Sequence, residues 1–411
     1  MSLRVVITGM GAVTPLGNTV DSFWEGLIHG RSGIDRITAF DPSRLTSQIA
    51  GEVKGFNPAP HFSHPKKGLR ADRSSQFAVA AASQAYIHSG LKNLTTFNPN
   101  RGGVVFGASN GGITTLSKQF QTLVEKGPGK LSPFLIPMLR TNMAAAMVAI
   151  ELGLEGPNFS VGAACASASE AIGQAWRLIR NGEADFILTG GSEAPICELM
   201  VGGFCAMKAL SQRNSSPQQA SRPFDLERDG FVISEGAGVL VLEEESHARR
   251  RGAMILAEII GHGLTTDAYH ITQPSADGKG VAASMNAALA QAKCQPSELS
   301  YVMAHATSTK AGDRAEARAI QSLFGQHSTP VTALKSMTGH LCGASGAIEL
   351  IGAVKSIEQA LIPPTINLFR PDKHFALNHV ANQPREAKIK SIMINAFGFG
   401  GNNSSLVISR Y

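Results

Sequence analysis

Short runs rich in β-branched residues alternate with helical patterns along almost the whole chain. The strand-like runs are "RVVITGMG", "GGVVFGAS", "FILTGGSEA", "GVLVLEE", "ILAEIIGHG", "YVMAHAT", "PVTALKS", "KSIMINAFG" and "SSLVISR". Helical patterns lie between them, among them "SSQFAVAAASQAYIHSGL", "GVAASMNAALAQAK" and "GASGAIELIGAVKSIEQAL". Proline stops the last of these at "LIPPTIN". Such alternation predicts an α/β fold with mostly parallel, buried sheets. The chain has 411 residues, 43% of them hydrophobic and 17% charged, which is ample material for a core. That length fits two to three domain-sized units. No run of about 18 apolar residues occurs, so no membrane insertion is expected. The opening "MSLRVVITGMGAVTPLG" lacks the continuous apolar stretch of a secretory signal.

The chain also echoes itself. "CASASEAIGQAWRLI" in the first half resembles "CGASGAIELIGAVKSI" in the second. Both are small-residue helix starts that follow a strand. A duplicated α/β unit would explain this, with halves spanning 1–255 and 256–411. The five Cys residues (165, 197, 205, 294 and 342) are odd in number and form no CxxC pair. They read as reduced thiols of a cytoplasmic protein without a zinc site. The net charge of +6 is mild. Its longest basic run, Arg249–Arg251, follows acidic residues and reads as a solvated helix end. No aromatic or Gly-rich recognition motif accompanies the charge, so nucleic acid is not expected as a partner.

The stretch "FSVGAACASASEAIGQAWRLI" ends an apolar run in a single Cys amid Ala, Ser and Gly. Small residues bury little area, but they let backbone and ligand approach one sulfur closely. Beyond Cys165 the pattern turns helical, with Ile172, Ala175, Trp176 and Ile179 on one stripe. Cys165 would then sit at a helix start, where unpaired N–H groups favour a thiolate. The competing reading is a buried structural Cys.

Three further motifs stand with it: "HATSTKAGDRAEA" from His305, "KSMTGHLCGASGAIE" from Lys335 and "NAFGFGGNN" from Asn395. Taken singly, His305 and His340 read as hydrogen-bonded structural histidines, Lys335 as a surface charge and GFGG as a hairpin turn. Together they have a chemical logic. A thiolate can hold an acyl group as a thioester. Two imidazoles can stabilise an enolate, and backbone N–H groups in a Gly-rich turn can form an oxyanion hole. Thr307 and Thr309, two apart on an extended segment, would face one side and bond an amide-bearing ligand.

On these residues the chain resembles the β-ketoacyl-acyl-carrier-protein synthase family, most of all the synthase II type. The resemblance runs from "VVITGMGAVTPLG" through "SRPFDLERDGFVISEGAGVLVLEE" and "TTDAYHITQPSADG" to "AFGFGGNNSSLVISR". It implies a five-layered αβαβα thiolase-like fold of two related halves, and a homodimer. It also implies a ping-pong decarboxylative Claisen condensation in fatty-acid elongation. No cofactor or metal is implied, because the substrates ride on the phosphopantetheine of an acyl carrier protein. Carried over residue by residue, Cys165 is the nucleophile, and His305 and His340 polarise the malonyl thioester carbonyl. Lys335 supports the His pair, with Asp313 and Glu349 in its surrounding network. Thr307 and Thr309 bind pantetheine, and Phe399 is the gate whose N–H joins that of Cys165 in the oxyanion hole. Lys66, Lys67, Arg70 and Lys208 fall at the basic positions that dock the acidic carrier.

Three departures from the family pattern stand out. Ala306 and Lys310 turn "HGTSTP" into "HATSTK", adding a methyl beside His305 and a charge near the pantetheine path. Ala163 stands where Thr is common. Asn110, in "GASNGG", stands where an apolar residue lines the acyl pocket. These bear on acyl specificity rather than on the reaction. The same chemistry would serve a synthase of a specialised polyketide or unusual-lipid pathway. A non-catalytic chain-length subunit would have replaced the nucleophile, and Cys165 is present.

Overall fold

The structure, a computed structural model, describes residues 3–94, 97–325, 329–374 and 376–411. Eleven strands form one sheet. In chain order they are β1 (Val5–Val13), β2 (Gly102–Gly107), β3 (Asn158–Val161), β4 (Phe186–Glu193), β5 (Gly236–Glu244) and β6 (Ala257–Thr266). There follow β7 (Tyr301–Met303), β8 (Pro330–Thr332), β9 (Asn378–His379), β10 (Ser391–Gly398) and β11 (Asn402–Ser409). Their spatial order is β9-β8-β7-β10-β11-β6-β1-β5-β4-β2-β3.

That order contains one pattern twice. The first half runs β3-β2-β4-β5-β1 and the second β8-β7-β10-β11-β6, so each places its third, second, fourth, fifth and first strands side by side. Pairing directions repeat as well: parallel across the first three strands, antiparallel across the remaining joins. The halves touch edge to edge only through Val6–Glu258 and Ile7–Ala257. The expected mostly parallel sheets are therefore mixed ones. In each half the fifth strand turns back beside the fourth: β11 does so after the tight Gly398–Asn402 corner, where Gly400 and Gly401 take φ of 82° and 78°. Only glycine enters that region freely.

Side-chain alternation builds five layers. Along β5, Val239 and Val241 face an outer core with helices α1 (Arg73–His88) and α4 (Met143–Leu152), whereas Leu240 and Leu242 face inward. Along β10 and β11, Ile392, Ile394, Leu406 and Ile408 face inward, while Met393 and Val407 face the opposite outer core. This is the period of two that buries both faces of a strand. Helices α5 (Ser167–Arg180) and α8 (Ser345–Gln359) fill the middle layer between the half-sheets. Helices α6 (Lys279–Ala292) and α7 (Lys310–Phe324) cover the far side. Helices α2 (Ile113–Lys126) and α3 (Leu135–Leu139) lie between β2 and α4 in sequence and bury no residue fully. No helix among the described residues is long and apolar enough to cross a membrane.

The stripe expected on α5 is the one it buries, and the Trp176 indole N–H donates to Ile259 O at 2.9 Å. At the other end of α5 the packing is backbone on backbone. A Cβ at Gly107 would lie 2.3 Å from both Ala168 N and Ser167 C. Overpacking of this kind costs about 1–3 kcal/mol. Gly107→Ala should therefore lower the unfolding midpoint in urea and slow alkylation of Cys165 by iodoacetamide, because the helix start must shift. Gly129→Ala, where a Cβ meets nothing within 4 Å, should stay within about 0.5 kcal/mol of wild type. Equal stability for the two variants would show that this contact does not set the position of α5.

Candidate active site

Cys165 lies in a single 3-10 turn, Ala164–Ala166, between β3 and α5. Ala164 holds φ at +48°, a left-handed conformation that costs a residue with a Cβ about 1–2 kcal/mol. Ser167 fastens the turn, accepting from Ala163 N at 2.9 Å and donating to Ala164 O at 2.6 Å. The end of β10 presses on the same turn. A Cβ at Gly398 would lie 2.5 Å from Ala163 O, so the glycine there permits the approach. It brings the Phe399 N–H to the sulfur alongside the N–H of Cys165 itself.

The second half has a matching turn, Cys342–Ala344, ahead of α8, and Cys342 has φ +47°. Its left-handed residue is thus the counterpart of Ala164, and Gly343 is the counterpart of Cys165. The echo in the sequence is real but offset by one residue from the pairing of Cys165 with Cys342.

His340 follows the short helix Lys335–Thr338 and bridges to the "FVISEG" segment, donating from N to Val232 O and accepting at O from Ser234 N. Its Nε2 lies 3.0 Å from Cys165 Sγ and its Nδ1 3.0 Å from Ser345 Oγ. His305 follows β7, and its ring meets that of His340 edge to face at 5.6 Å. Lys335 Nζ approaches His305 Nδ1 at 3.4 Å and bonds Glu349. An ammonium only donates, so His305 Nδ1 is the acceptor and its proton sits on Nε2. Phe397 packs on His305 at 5.5 Å and Phe231 on His340 at 5.4 Å.

These groups surround a cavity of about 880 Å³. Cys165, His305, His340, Phe399, Thr307, Thr309 and Asn110 all line it, and Lys208 and Lys310 stand on the same wall. The two threonine hydroxyls meet at 3.1 Å although Ser308 between them has φ +70°. Thr309 also caps α7, accepting from Gly312 N. Lys335 and Glu349 are buried behind the histidines.

Burial dominates the electrostatics. It pushes the Cys165 thiol up to about 12, against the pull of Lys335 and the two N–H groups, and the Glu193 charge adds to the rise. The N–H groups at the helix start thus favour the thiolate as expected, and burial opposes them. Burial and the neighbouring Lys335 charge hold both imidazoles well below their usual range. Burial also raises Glu349, to about 7, with Lys335 opposing.

Several expected placements change. Asp313 does not join Lys335: it accepts from Phe224 N and Ser308 N and faces Arg228 at 3.6 Å, fixing the turn that carries the threonines. The acid beside His305 is Glu316, one helical turn further on, which accepts from His305 N at 2.9 Å and Ala306 N at 2.8 Å. The i,i+3 pair of acids in "DRAEA" on the buried face of α7 was the available signal. The Ala306 methyl belongs to the outer core rather than to the cavity wall, so it does not tighten the His305 cradle. Ala163 packs with Ala166 and Ala396. Asn110 lines the cavity, but its amide is bonded to Glu193 and Ser109. Of the four basic residues expected to dock the carrier, Lys208 reaches the cavity and Lys66, Lys67 and Arg70 do not line it. Lys66 and Lys67 lie on the separate short helix Pro65–Leu69, Lys67 is paired with Glu151, and Arg70 stacks over Phe134.

Comparison with known proteins accords with this geometry. Residues 2–248 match the family described as Beta-ketoacyl synthase, N-terminal domain, and residues 256–369 match Beta-ketoacyl synthase, C-terminal domain. The 3-oxoacyl-[acyl-carrier-protein] synthase 2 of Synechocystis is 46% identical, covering 99% of this chain and 98% of its own. A beta-ketoacyl synthase structure from Burkholderia phymatum superposes with a TM-score of 0.93 at 36% identity, covering 100% of both chains. A ketosynthase solved with its type II polyketide acyl-carrier protein superposes with a TM-score of 0.90 at 34% identity, again over 100% of both chains. With a thiol, two histidines and a lysine brought together at the junction of two thiolase-like halves, this chain belongs to the beta-ketoacyl synthase family of condensing acyltransferases.

Proposed function

We propose that the chain performs the decarboxylative condensation of fatty-acid elongation, joining an acyl group on Cys165 to malonyl-acyl-carrier protein. The products are 3-oxoacyl-acyl-carrier protein and CO2. The observation that carries the reading is the 3.0 Å contact of His340 Nε2 with Cys165 Sγ, with the Nε2 proton of His305 on the same cavity. In the first half-reaction Sγ attacks the acyl-carrier thioester. The C–S bond to the carrier breaks, and the thiol proton passes by way of His340 to the departing carrier thiol. The carbonyl oxygen gathers charge next to the N–H groups of Cys165 and Phe399. In the second, the malonyl group loses CO2 and its thioester oxygen becomes an enolate. The His305 Nε2–H stabilises that oxygen as a donor, while Lys335 on Nδ1 holds the tautomer. The enolate carbon attacks the Cys165 thioester, a C–C bond forms, the C–Sγ bond breaks, and the departing sulfur takes up a proton from solvent by way of His340.

Thr307 and Thr309 hold the pantetheine amides, and Lys208 and Lys66 meet the acidic carrier together with Lys67 and Arg70. No cofactor enters these steps. The polar Asn110 in the acyl end of the cavity favours, as a second reading, a specialised polyketide or unusual-lipid synthase using the same steps.

The experiment is intact mass spectrometry after incubation with acyl-carrier protein. Wild type should gain one acyl mass and Cys165→Ala none; an adduct that persists in the variant overturns the assignment. His305→Ala should still load the acyl group yet lose decarboxylation of malonyl-carrier protein by about 10²–10³-fold, the usual scale for one positioned donor. Normal decarboxylation with failed loading would reverse the assignment of roles.

The pH dependence follows in sign from burial. Both imidazoles are held below their ordinary value of 6.5, so protonation begins only well below it. Condensation rate should stay flat from about pH 8 to about pH 6, where free histidine would already be charging. An acid limb centred at or above about pH 6.5 would show that the histidines titrate as exposed groups.

The chain is also proposed to act as a homodimer, paired along β3. That strand is the sheet edge, bonded on one side only, and Phe159 on it is exposed. An unpaired apolar edge is a template for a second copy. Phe120, Val124 and Ile136 on the neighbouring helices α2 and α3 are exposed too. Light scattering should return twice the chain mass of 43.2 kDa. Phe159→Asp should shift the population toward single chains, and a mass unchanged by that substitution would place the interface elsewhere.

A further inference from the structure

Phe204, Met207, Phe231 and Cys342 line the cavity together with Asn110. Behind that wall lies Glu193, the last residue of β4, with no exposed surface. Its Oε1 accepts from Ser109 N at 2.5 Å, Ser109 Oγ at 2.7 Å and Asn110 N at 3.3 Å. Its Oε2 accepts from Asn110 Nδ2 at 2.8 Å. Asn110 Nδ2 also donates to Ser109 Oγ at 2.9 Å. The second half makes room for this cluster. A Cβ at Gly343 would lie 2.7 Å from Glu193 Oε1 and 3.1 Å from Ser109 N.

Among the described residues Glu193 has no ion pair, and all its donors are neutral. A buried carboxylate without a counter-ion is costly to fold around. What it gains is a fixed geometry: every donor belongs to the two residues that form the cavity wall. Without Glu193 the Asn110 amide would be free to turn among rotamers. With it, the amide is held by both Glu193 and Ser109.

We propose that Glu193 is a positioning residue for acyl selectivity, holding Asn110 as a fixed polar stop that disfavours long saturated chains. This inference rests on the functional reading above. A chain that extends past Asn110 must displace an amide already bonded to Glu193 and Ser109, and it gains only about 0.8 kcal/mol for each further methylene it buries.

The test compares acylation rates of Cys165 by hexanoyl- and myristoyl-pantetheine, followed by intact mass. Asn110→Ala should raise the myristoyl-to-hexanoyl rate ratio about tenfold, equivalent to burying roughly two further methylenes. Glu193→Gln places an amide nitrogen against Asn110 Nδ2 and breaks the bond, so it should raise the ratio at least about threefold. Glu193→Asp keeps the charge but withdraws it from Asn110, and serves if the Gln variant does not fold. In the Asn110→Ala background neither Glu193 substitution should change the ratio further, which a merely structural role for Glu193 does not predict. A ratio that stays at the wild-type value in both Glu193 variants overturns the inference. So does a Glu193 effect that persists at full size without Asn110. Failure of wild type to acquire either acyl group at Cys165 overturns the functional reading itself, and this inference with it.

Discussion

The structure depends on the contact between the starts of the two central helices. Helices α5 and α8 begin against each other: a Cβ at Gly346 would lie 2.1 Å from Ser169 Oγ. Each start is preceded by a turn with one left-handed residue, Ala164 in one half and Cys342 in the other. Small residues are required there because backbone meets backbone. Substituting larger ones would push the helices apart and open the gap between the half-sheets. The apolar middle layer supplies the burial that holds the helices in, and the glycines and serines supply the room that lets their ends converge.

Convergence is also what assembles the site. Cys165 comes from the first half, while His305, Lys335, His340 and Phe399 come from the second. Neither half carries the whole set. The strained turn around Cys165 is stabilised from both sides, by Ser167 of its own helix and by the close approach of Gly398. Strain of this kind persists where surrounding structure over-determines it, and such places are commonly functional.

Burial then weighs on the charge state. The cavity wall raises the thiol and lowers both imidazoles, so it works against charge separation between the sulfur and His340. The Lys335–Glu349 pair is the charged element next to the histidines, and it lies behind them rather than in the cavity. It acts through His305 by fixing which nitrogen carries the proton. Glu316 fixes the backbone of the same residue. The three acids near "HATSTK" therefore hold three different things: Glu349 the lysine, Glu316 the His305 backbone, and Asp313 the Ser308 turn.

The sequence by itself determined the strands, the central helices and the identity of the reacting groups. Strand and helix periodicities are local, so apolar runs and the stripe on α5 could be read directly. The four motifs could be read too, because the chemistry needs those residue types. Tertiary structure alone decided the rest. The mixed pairing of each half-sheet depends on where the fifth strand returns, which no local pattern encodes. The one-residue offset of the echo depends on backbone dihedrals in the two turns. Asp313 and Glu316 lie one turn apart on one helix face, and only the packing of α7 against Arg228 and Asn395 separates their partners. The upward push on the Cys165 thiol follows from the cover that the second half lays over the first, a property of enclosure that a run of residues around Cys165 does not contain. Glu193 is the same case: it reads as the end of a strand, and becomes part of the acyl pocket only because the chain brings Ser109, Asn110 and Gly343 against it.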